Sequence, residues 1–218
     1  KRSLWKNALI LLRECENESD VQPDIITYTN TIRACARSKR TKQALSLLET
    51  VKGKRLQLDA YVYTAAIDAC AKGKFWRKAL SLLDEMKTNG INPTSVTYSV
   101  VISACGNGGQ WEKALEFLNQ MKQNRMDINV ITYNSAIAAL AKASRKLSKI
   151  SHSSSSMDTD ELWMKALDLL QQMMEEGIEP DAYSYSAAIS ACAPAGRWKE
   201  ALKLIKHMER GGPRMKPN

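Results

Sequence analysis

The chain has 218 residues, of which 44% are hydrophobic and 25% are charged, so it can bury a core and still present a polar surface. Its net charge of +9 favours anionic partners, nucleic acid first among them. No run of roughly 18 or more apolar residues occurs, which excludes a membrane-spanning helix. The five cysteines include no CxxC pair, which argues against a zinc site or a disulfide framework and favours small buried side chains.

Six of the Ala-Leu dipeptides in the chain recur at nearly constant spacing. It begins at Ala8, Ala44, Ala79, Ala114, Ala166 and Ala201, in steps of 36, 35, 35, 52 and 35 residues. Three residues before these alanines stand Trp5, Thr41, Trp76, Trp111, Trp163 and Trp198, so all five tryptophans share one position. Two further series are Tyr28, Tyr63, Tyr98, Tyr133 and Tyr185, and Cys35, Cys70, Cys105, Leu140 and Cys192. Such periodicity predicts tandem structural repeats.

Each repeat predicts two amphipathic helices. Tyr28, Ile32 and Cys35 lie at i, i+4 and i+7 on one face of the first helix. The second helix shows a similar apolar stripe, and it ends at a stop signal such as Gly90 followed by Pro93. One hairpin cannot bury both apolar faces, so it must stack on its neighbours. The sequence therefore predicts an all-α fold of stacked helical hairpins, an α-solenoid.

The repeats divide the chain into one continuous array. A half unit, residues 1–24, holds only a second helix and precedes the units 25–59, 60–94, 95–129, 130–181 and 182–218. The unit 130–181 is 17 residues longer than its neighbours, with the excess near Ser144 to Asp160. Four consecutive serines in this stretch predict a flexible surface loop, with Asp160 capping the helix that follows.

The unit that opens with Val130-Ile131-Thr132-Tyr133-Asn134 and closes with Gly177-Ile178-Glu179-Pro180-Asp181 resembles the pentatricopeptide repeat. That family's 35-residue unit opens with Val-Thr-Tyr-Asn and closes with Gly-Ile-x-Pro-Asp, and the resemblance covers essentially the whole chain. The array is similar to those of the P class, and its Trp-x-x-Ala-Leu signature also resembles algal arrays and the repeat region of protein-only RNase P. The resemblance implies a right-handed solenoid that binds single-stranded RNA, one base per repeat, in a mitochondrion or plastid.

The resemblance also implies that two residues in each repeat select the base, namely the residue after the Tyr and the last residue of the unit. The pairs are Thr29 with Asp59, Thr64 with Thr94, Ser99 with Asn129, Asn134 with Asp181, and Ser186 with Asn218. An ionised Asp only accepts hydrogen bonds, so it favours G or U, whereas Asn can donate to A or C. In the family, Thr or Ser accompanies purines and Asn accompanies pyrimidines. The array then reads GNAUA from 5′ to 3′, with the Thr64 and Thr94 repeat unassigned.

Two further sets of positions are expected to contact RNA. The second residues of the units, expected to sandwich bases, are Ile26, Tyr61, Val96, Ile131 and Tyr183. The alternative is that these are ordinary inter-helix packing residues. Cations expected near phosphates are Arg37, Lys72 and Lys142, which stand two residues after the Cys series. The alternative for these is a solvated cation that complements the C-terminal end of the helix dipole.

No catalytic residue, cofactor or metal site is predicted, and the chain is not expected to be an enzyme. His152 and His207 have no partner at ligand spacing. The tryptophan series is expected to serve as core or inter-repeat packing. The expected partners are single-stranded RNA and other RNA-processing proteins, with neither a membrane nor a small-molecule substrate. Two alternatives remain: a protein-interaction scaffold, or the substrate-binding arm of a larger enzyme such as protein-only RNase P.

Overall fold

A computed structural model describes residues 4–17, 22–150 and 156–210, and helices make up most of them. The helices are α1 Leu4–Asn17, α2 Ile25–Arg37, α3 Thr41–Gly53, α4 Ala60–Gly73, α5 Trp76–Thr88, α6 Ser95–Asn107, α7 Trp111–Gln123, α8 Val130–Ile150, α9 Ser156–Glu175, α10 Ala182–Cys192 and α11 Trp198–Arg210. A short 3-10 helix, Ala193–Ala195, follows α10. Within the described ranges there is no β-strand. None of the described helices has the length and apolar content needed to cross a bilayer.

The chain forms two compact units, Lys1–Gly108 and Gly109–Asn218. In the first, α2 packs against α3 and α4, and α4 packs against α5 and α6. In the second, α8 packs against α9 and α10, and α10 packs against α9 and α11. Thus α2, α4 and α8 each contact the second helix of their own repeat and the first helix of the next repeat. The predicted all-α fold of stacked helical hairpins is confirmed within each unit.

The tyrosine and cysteine series form the buried spine of both units. Tyr28, Tyr63, Tyr133 and Tyr185 are at most 2% exposed, and the four cysteines of the series are fully buried. Burial raises the pKa of Cys70 and Cys192 to about 11, so both are neutral thiols. The cysteines therefore act as small apolar side chains, as the sequence predicted.

The turns after the second helices end those helices as predicted. Gly90 and Gly177 adopt φ values of 72° and 74°, the left-handed conformation that suits glycine. The backbone N–H of Ile91 then donates to the Met86 carbonyl at 3.0 Å, which satisfies one of the last carbonyls of α5. Arg55 and Arg125 take the same conformation, with φ of 54° and 49°, at a cost of about 1 kcal/mol each.

The tryptophans do not belong to the core, contrary to one of the two predicted roles. Four are half-buried, and Trp198, the first residue of α11, is 63% exposed. They pack between repeats instead, and several lie beneath a cation of the following repeat. The Arg40 guanidinium lies 4.8 Å from the centroid of the Trp5 ring, and the Lys165 ammonium lies 4.9 Å from the centroid of the Trp111 ring.

We expect Gly108→Ala to destabilise the chain by about 1–3 kcal/mol, because the added methyl group would overpack the Trp76 contact. A Cβ at Gly108 would lie only 2.2 Å from Trp76 Cδ1 and 2.8 Å from its Cβ, so the whole side chain would have to move. Gly53→Ala is the matched control, since a Cβ there meets nothing within 4 Å. Chemical denaturation of both variants measures the difference, and equal midpoints would show that Trp76 moves aside without cost.

The insertion in the unit 130–181 extends helices rather than forming a loop from Ser144 onward. Helix α8 continues to Ile150 and α9 already begins at Ser156, so α8 has 21 residues where α2 and α6 have 13. Asp160 lies inside α9 and does not cap it. The predicted loop is therefore wrong for 144–150 and 156–160, while 151–155 lie outside the described residues.

Tertiary packing explains why α8 continues through a serine. Ser144 is fully buried, and its hydroxyl donates to the Ala191 carbonyl on α10 at 3.2 Å. Ala143 beside it is 6% exposed. These contacts stabilise one more turn of helix, although serine alone favours turns and loops.

Candidate nucleic-acid interface

The predicted base-reading residues after each Tyr lie in the second turn of the first helices. Thr29, Thr64, Ser99 and Asn134 are 6–8% exposed, whereas Ser186 is exposed. Low exposure alone does not prevent contact with a ligand, because Thr29, although only 6% exposed, lines an open pocket at the surface. Ser186 lines a second open pocket. What each side chain can do therefore depends on its local partners.

The pocket between α2 and α4 contains the predicted contacts of one repeat. It has a volume of about 170 Å³, and its lining residues are Ile26, Thr29, Asn30, Arg33, Asp59 and Tyr61. Both predicted readers, Thr29 and Asp59, thus share one pocket with two predicted stacking residues. Thr29 Oγ1 is buried and has no hydrogen-bond partner among the described residues, so it can bond a ligand that enters. Asn30 and Arg33 were not predicted, and no repeat-wide pattern marks them.

The last residue of each unit has a structural role that the sequence analysis missed: it caps the next first helix. The capping residues are Asp24, Asp59, Thr94, Asn129 and Asp181, and their donors are the backbone N–H groups of Thr27, Val62, Thr97, Thr132 and Ser184, at 2.8, 2.8, 3.2, 3.1 and 2.8 Å. A short polar residue just before an apolar helix is the signal that could have revealed the caps. An Asp or Asn that caps with one oxygen keeps a second polar atom for a base, whereas Thr keeps none.

Asn134 and Asp181 contact each other directly, as a pair of readers should. The Asn134 amide donates to Asp181 Oδ1 at 3.0 Å, and the Ser184 hydroxyl donates to Asn134 Oδ1 at 2.6 Å. Burial tends to raise the pKa of Asp181, but hydrogen bonds from the Ser184 backbone, from Asn134 and from the Ser184 hydroxyl outweigh it and hold that pKa below its usual value. Asp181 is therefore ionised at neutral pH, and the bonds from Asn134 and Ser184 all end on Oδ1, which makes Oδ2 the candidate acceptor for a ligand.

Thr64 and Thr94 are instead joined through a third hydroxyl. Thr97 Oγ1 lies 2.8 Å from Thr64 Oγ1 and 3.1 Å from Thr94 Oγ1. Thr64 also donates to the Ala60 carbonyl at 2.6 Å, and Thr94 also accepts the capping bond. A hydroxyl has one donor and two acceptor positions, so these contacts use most of what the pair could offer a base.

Three of the remaining predicted readers, Ser99, Asn129 and Ser186, lie within the described residues. Ser99 donates to the Ser95 carbonyl at 2.8 Å, and Asn129 accepts from the backbone and hydroxyl of Thr132. Ser186 lines the pocket between α8 and α10. Its predicted partner, Asn218, lies outside the described residues.

The five predicted stacking residues all project from their helices into solvent. Exposure is 64% for Ile26, 67% for Tyr61, 58% for Val96, 68% for Ile131 and 58% for Tyr183. Large apolar side chains exposed at one repeated position are not inter-helix packing residues, so that alternative is wrong. A repeated exposed apolar position favours a binding role.

The three predicted phosphate contacts differ in their surroundings. Lys72 forms an ion pair with Asp68 at 2.5 Å, and this carboxylate weakens the attraction of the Lys72 ammonium for a phosphate. Arg37 is exposed in the last turn of α2, where the helix-dipole explanation still applies. Lys142 lines the pocket between α8 and α10, and α8 continues to Ile150 beyond it, so a role at a helix end does not apply there.

Family models of the pentatricopeptide repeat match most of the chain. The pentatricopeptide repeat domain matches residues 10–57 and 46–108, the PPR repeat family matches 100–142, and the PPR repeat matches 183–213. A pentatricopeptide repeat-containing protein of Arabidopsis thaliana is 42% identical over 43 residues, which is 20% of this chain and 8% of that protein.

Solved structures show the same fold. The structure of PPR10, a maize protein, in complex with an 18-nt psaJ RNA element is 25% identical, with a TM-score of 0.59 over 96% of this chain and 32% of that one. The PPR domain of Arabidopsis thaliana protein-only RNase P 1 in complex with tRNA is 14% identical, with a TM-score of 0.63 over 83% of this chain and 86% of that one. The chain thus spans about a third of the length of PPR10, and its match to the Arabidopsis protein spans 8% of that protein. On its sequence motifs, its stacked hairpins and these matches together, the chain belongs to the pentatricopeptide repeat family.

Proposed function

We propose that the chain binds single-stranded RNA and selects bases through side chains on the first helices of its repeats. The observation that carries this proposal is the pocket that joins Thr29 and Asp59 with the exposed Ile26 and Tyr61. A base between the two apolar side chains would present its Watson–Crick edge to the two polar ones. The net charge of +9 adds a general attraction for the phosphate backbone.

The chemistry of the readers supports the predicted base order GNAUA. Asp181, and by the same logic Asp59, caps a helix with one carboxylate oxygen and keeps the other to accept a ring N–H, which G and U possess. The Thr64 and Thr94 repeat has its hydroxyls engaged with Thr97, so it would accept any base.

Two relatives support RNA as the ligand, since PPR10 was solved with an RNA element and the repeat domain of the RNase P with tRNA. The proposed biological setting is a mitochondrion or plastid, where the chain would act by occupying an RNA segment or by recruiting other RNA-processing proteins. The function proposed for this part of the chain is not enzymatic.

One alternative is that the chain is the substrate-binding arm of a larger enzyme, because its fold is similar to that of protein-only RNase P. A metallonuclease domain encoded elsewhere in the gene would establish it. A peptide-binding scaffold would also use exposed apolar residues, but its affinity should depend little on salt.

We expect RNA that contains GNAUA to bind at least about tenfold more tightly than a scrambled RNA of equal composition, because scrambling mismatches several bases and each matched base contributes on the order of 1 kcal/mol. A gel-shift titration measures the two affinities, and selection from a random RNA pool reports the preferred core without bias. Equal binding of both RNAs would reject the base order, and no RNA binding at low salt would reject the function.

A further inference from the structure

The lengthened helix α8 places an arginine where the other first helices have already ended. Helices α2, α4 and α6 end at Arg37, Gly73 and Asn107, whereas α8 continues to Ile150 and carries Arg145 one turn beyond Lys142. Arg145 then lines the same pocket as Tyr183 and Ser186, the predicted stacking and reading residues of the next repeat. This pocket has a volume of about 200 Å³, and small side chains form the rest of its wall.

The charge of this pocket differs from that of its counterpart in the first unit. Among the described residues, its lining includes Lys142 and Arg145 and no carboxylate. In the pocket between α2 and α4, Arg33 is accompanied by Asp59. The pocket between α8 and α10 is therefore the more cationic of the two.

The guanidinium of Arg145 is placed to bind a ligand. Its Nε donates to the Ala141 carbonyl at 3.3 Å, and its two terminal nitrogens have no partner among the described residues. An arginine without a carboxylate partner presents a planar pair of donors that matches two phosphate oxygens. The exposed ring of Tyr183 beside it offers a face for the base attached to that phosphate.

We propose that Arg145, positioned by the extension of α8, binds a backbone phosphate of the RNA at the nucleotide next to Tyr183 and Ser186. The contact anchors the strand and does not read sequence, because phosphate oxygens are the same at every nucleotide. It rests on the proposed RNA-binding function and adds to it a contact made by an insertion that the other repeats do not share.

Salt titration of RNA affinity tests this contact. We expect Arg145→Gln to weaken binding of the GNAUA RNA about fivefold at moderate salt and to reduce the slope of log affinity against log salt by about 0.7, the value of one phosphate contact on a single strand. The same loss should appear with a scrambled RNA. The matched control is Lys146→Gln, which removes the same charge from the next residue of α8, outside the pocket. Thermal melts of both variants check that α8 stays folded.

The outcomes separate this contact from the function on which it rests. A slope that falls for Arg145→Gln and not for Lys146→Gln supports the contact. Equal slopes for wild type and both variants, or an equal fall in both variants, overturn it while RNA binding itself stands. Failure of the wild-type chain to bind any RNA rejects the proposed function first.

Discussion

Replacing Tyr61 by alanine is expected to weaken RNA binding by about 5- to 150-fold, because stacking of a base on an aromatic ring contributes about 1–3 kcal/mol. The ring is 67% exposed in the free protein and lines the pocket that also contains Thr29 and Asp59. A side chain this exposed adds little to the core, so the melting temperature should stay nearly unchanged. Affinity measured by fluorescence anisotropy and stability measured by thermal melting together test both statements.

Two further variants show whether the loss comes from stacking. Tyr61→Phe keeps the aromatic face and should retain most of the affinity. Phe75→Ala removes an aromatic side chain that is 52% exposed in a turn, away from the reading pocket, and should change RNA binding little. If Tyr61→Ala binds RNA as tightly as wild type does, the exposed apolar row is not a base-stacking surface.

Replacing Asn134 by threonine is expected to shift the preferred base at one position from U toward G, with a change in relative affinity of about tenfold. Asp181 would still accept a ring N–H, which both U and G supply, while the shorter threonine leaves room for a purine. The amide of Asn134 now bonds Asp181 and Ser184, so its loss should also cost about 1 kcal/mol of stability. Competition between RNAs that differ only at that base measures the shift.

Asn119→Thr makes the same substitution at an exposed site on α7 and should leave base preference unchanged. Both variants are compared well below their melting temperatures, so that the stability cost of Asn134→Thr does not appear as lost binding. An unchanged preference for U in the Asn134 variant would show that this amide supports the fold and reads no base.

The sequence by itself determined the helical hairpins, their order and their buried spine. Periodicity reports which side chains share an apolar face, and stacked hairpins have only one way to bury that face. For this reason Tyr63 and Cys70 are fully buried and Gly90 ends its helix, as the sequence analysis predicts. The family motifs likewise identify the candidate reading positions before any coordinates are known.

Only the tertiary structure decided what those positions can offer a ligand. Thr29 and Thr64 occupy the same repeat position, yet in the described part of the chain Thr29 Oγ1 has no hydrogen-bond partner, while Thr64 Oγ1 is bonded to Thr97, 33 residues away. Buried Ser144 on α8 bonds a carbonyl of α10, and this distant contact accompanies the helix extension that carries Arg145 into its pocket. Hydrogen bonds form between residues that are close in space, and a periodic sequence shows equivalence between repeats without showing those distances.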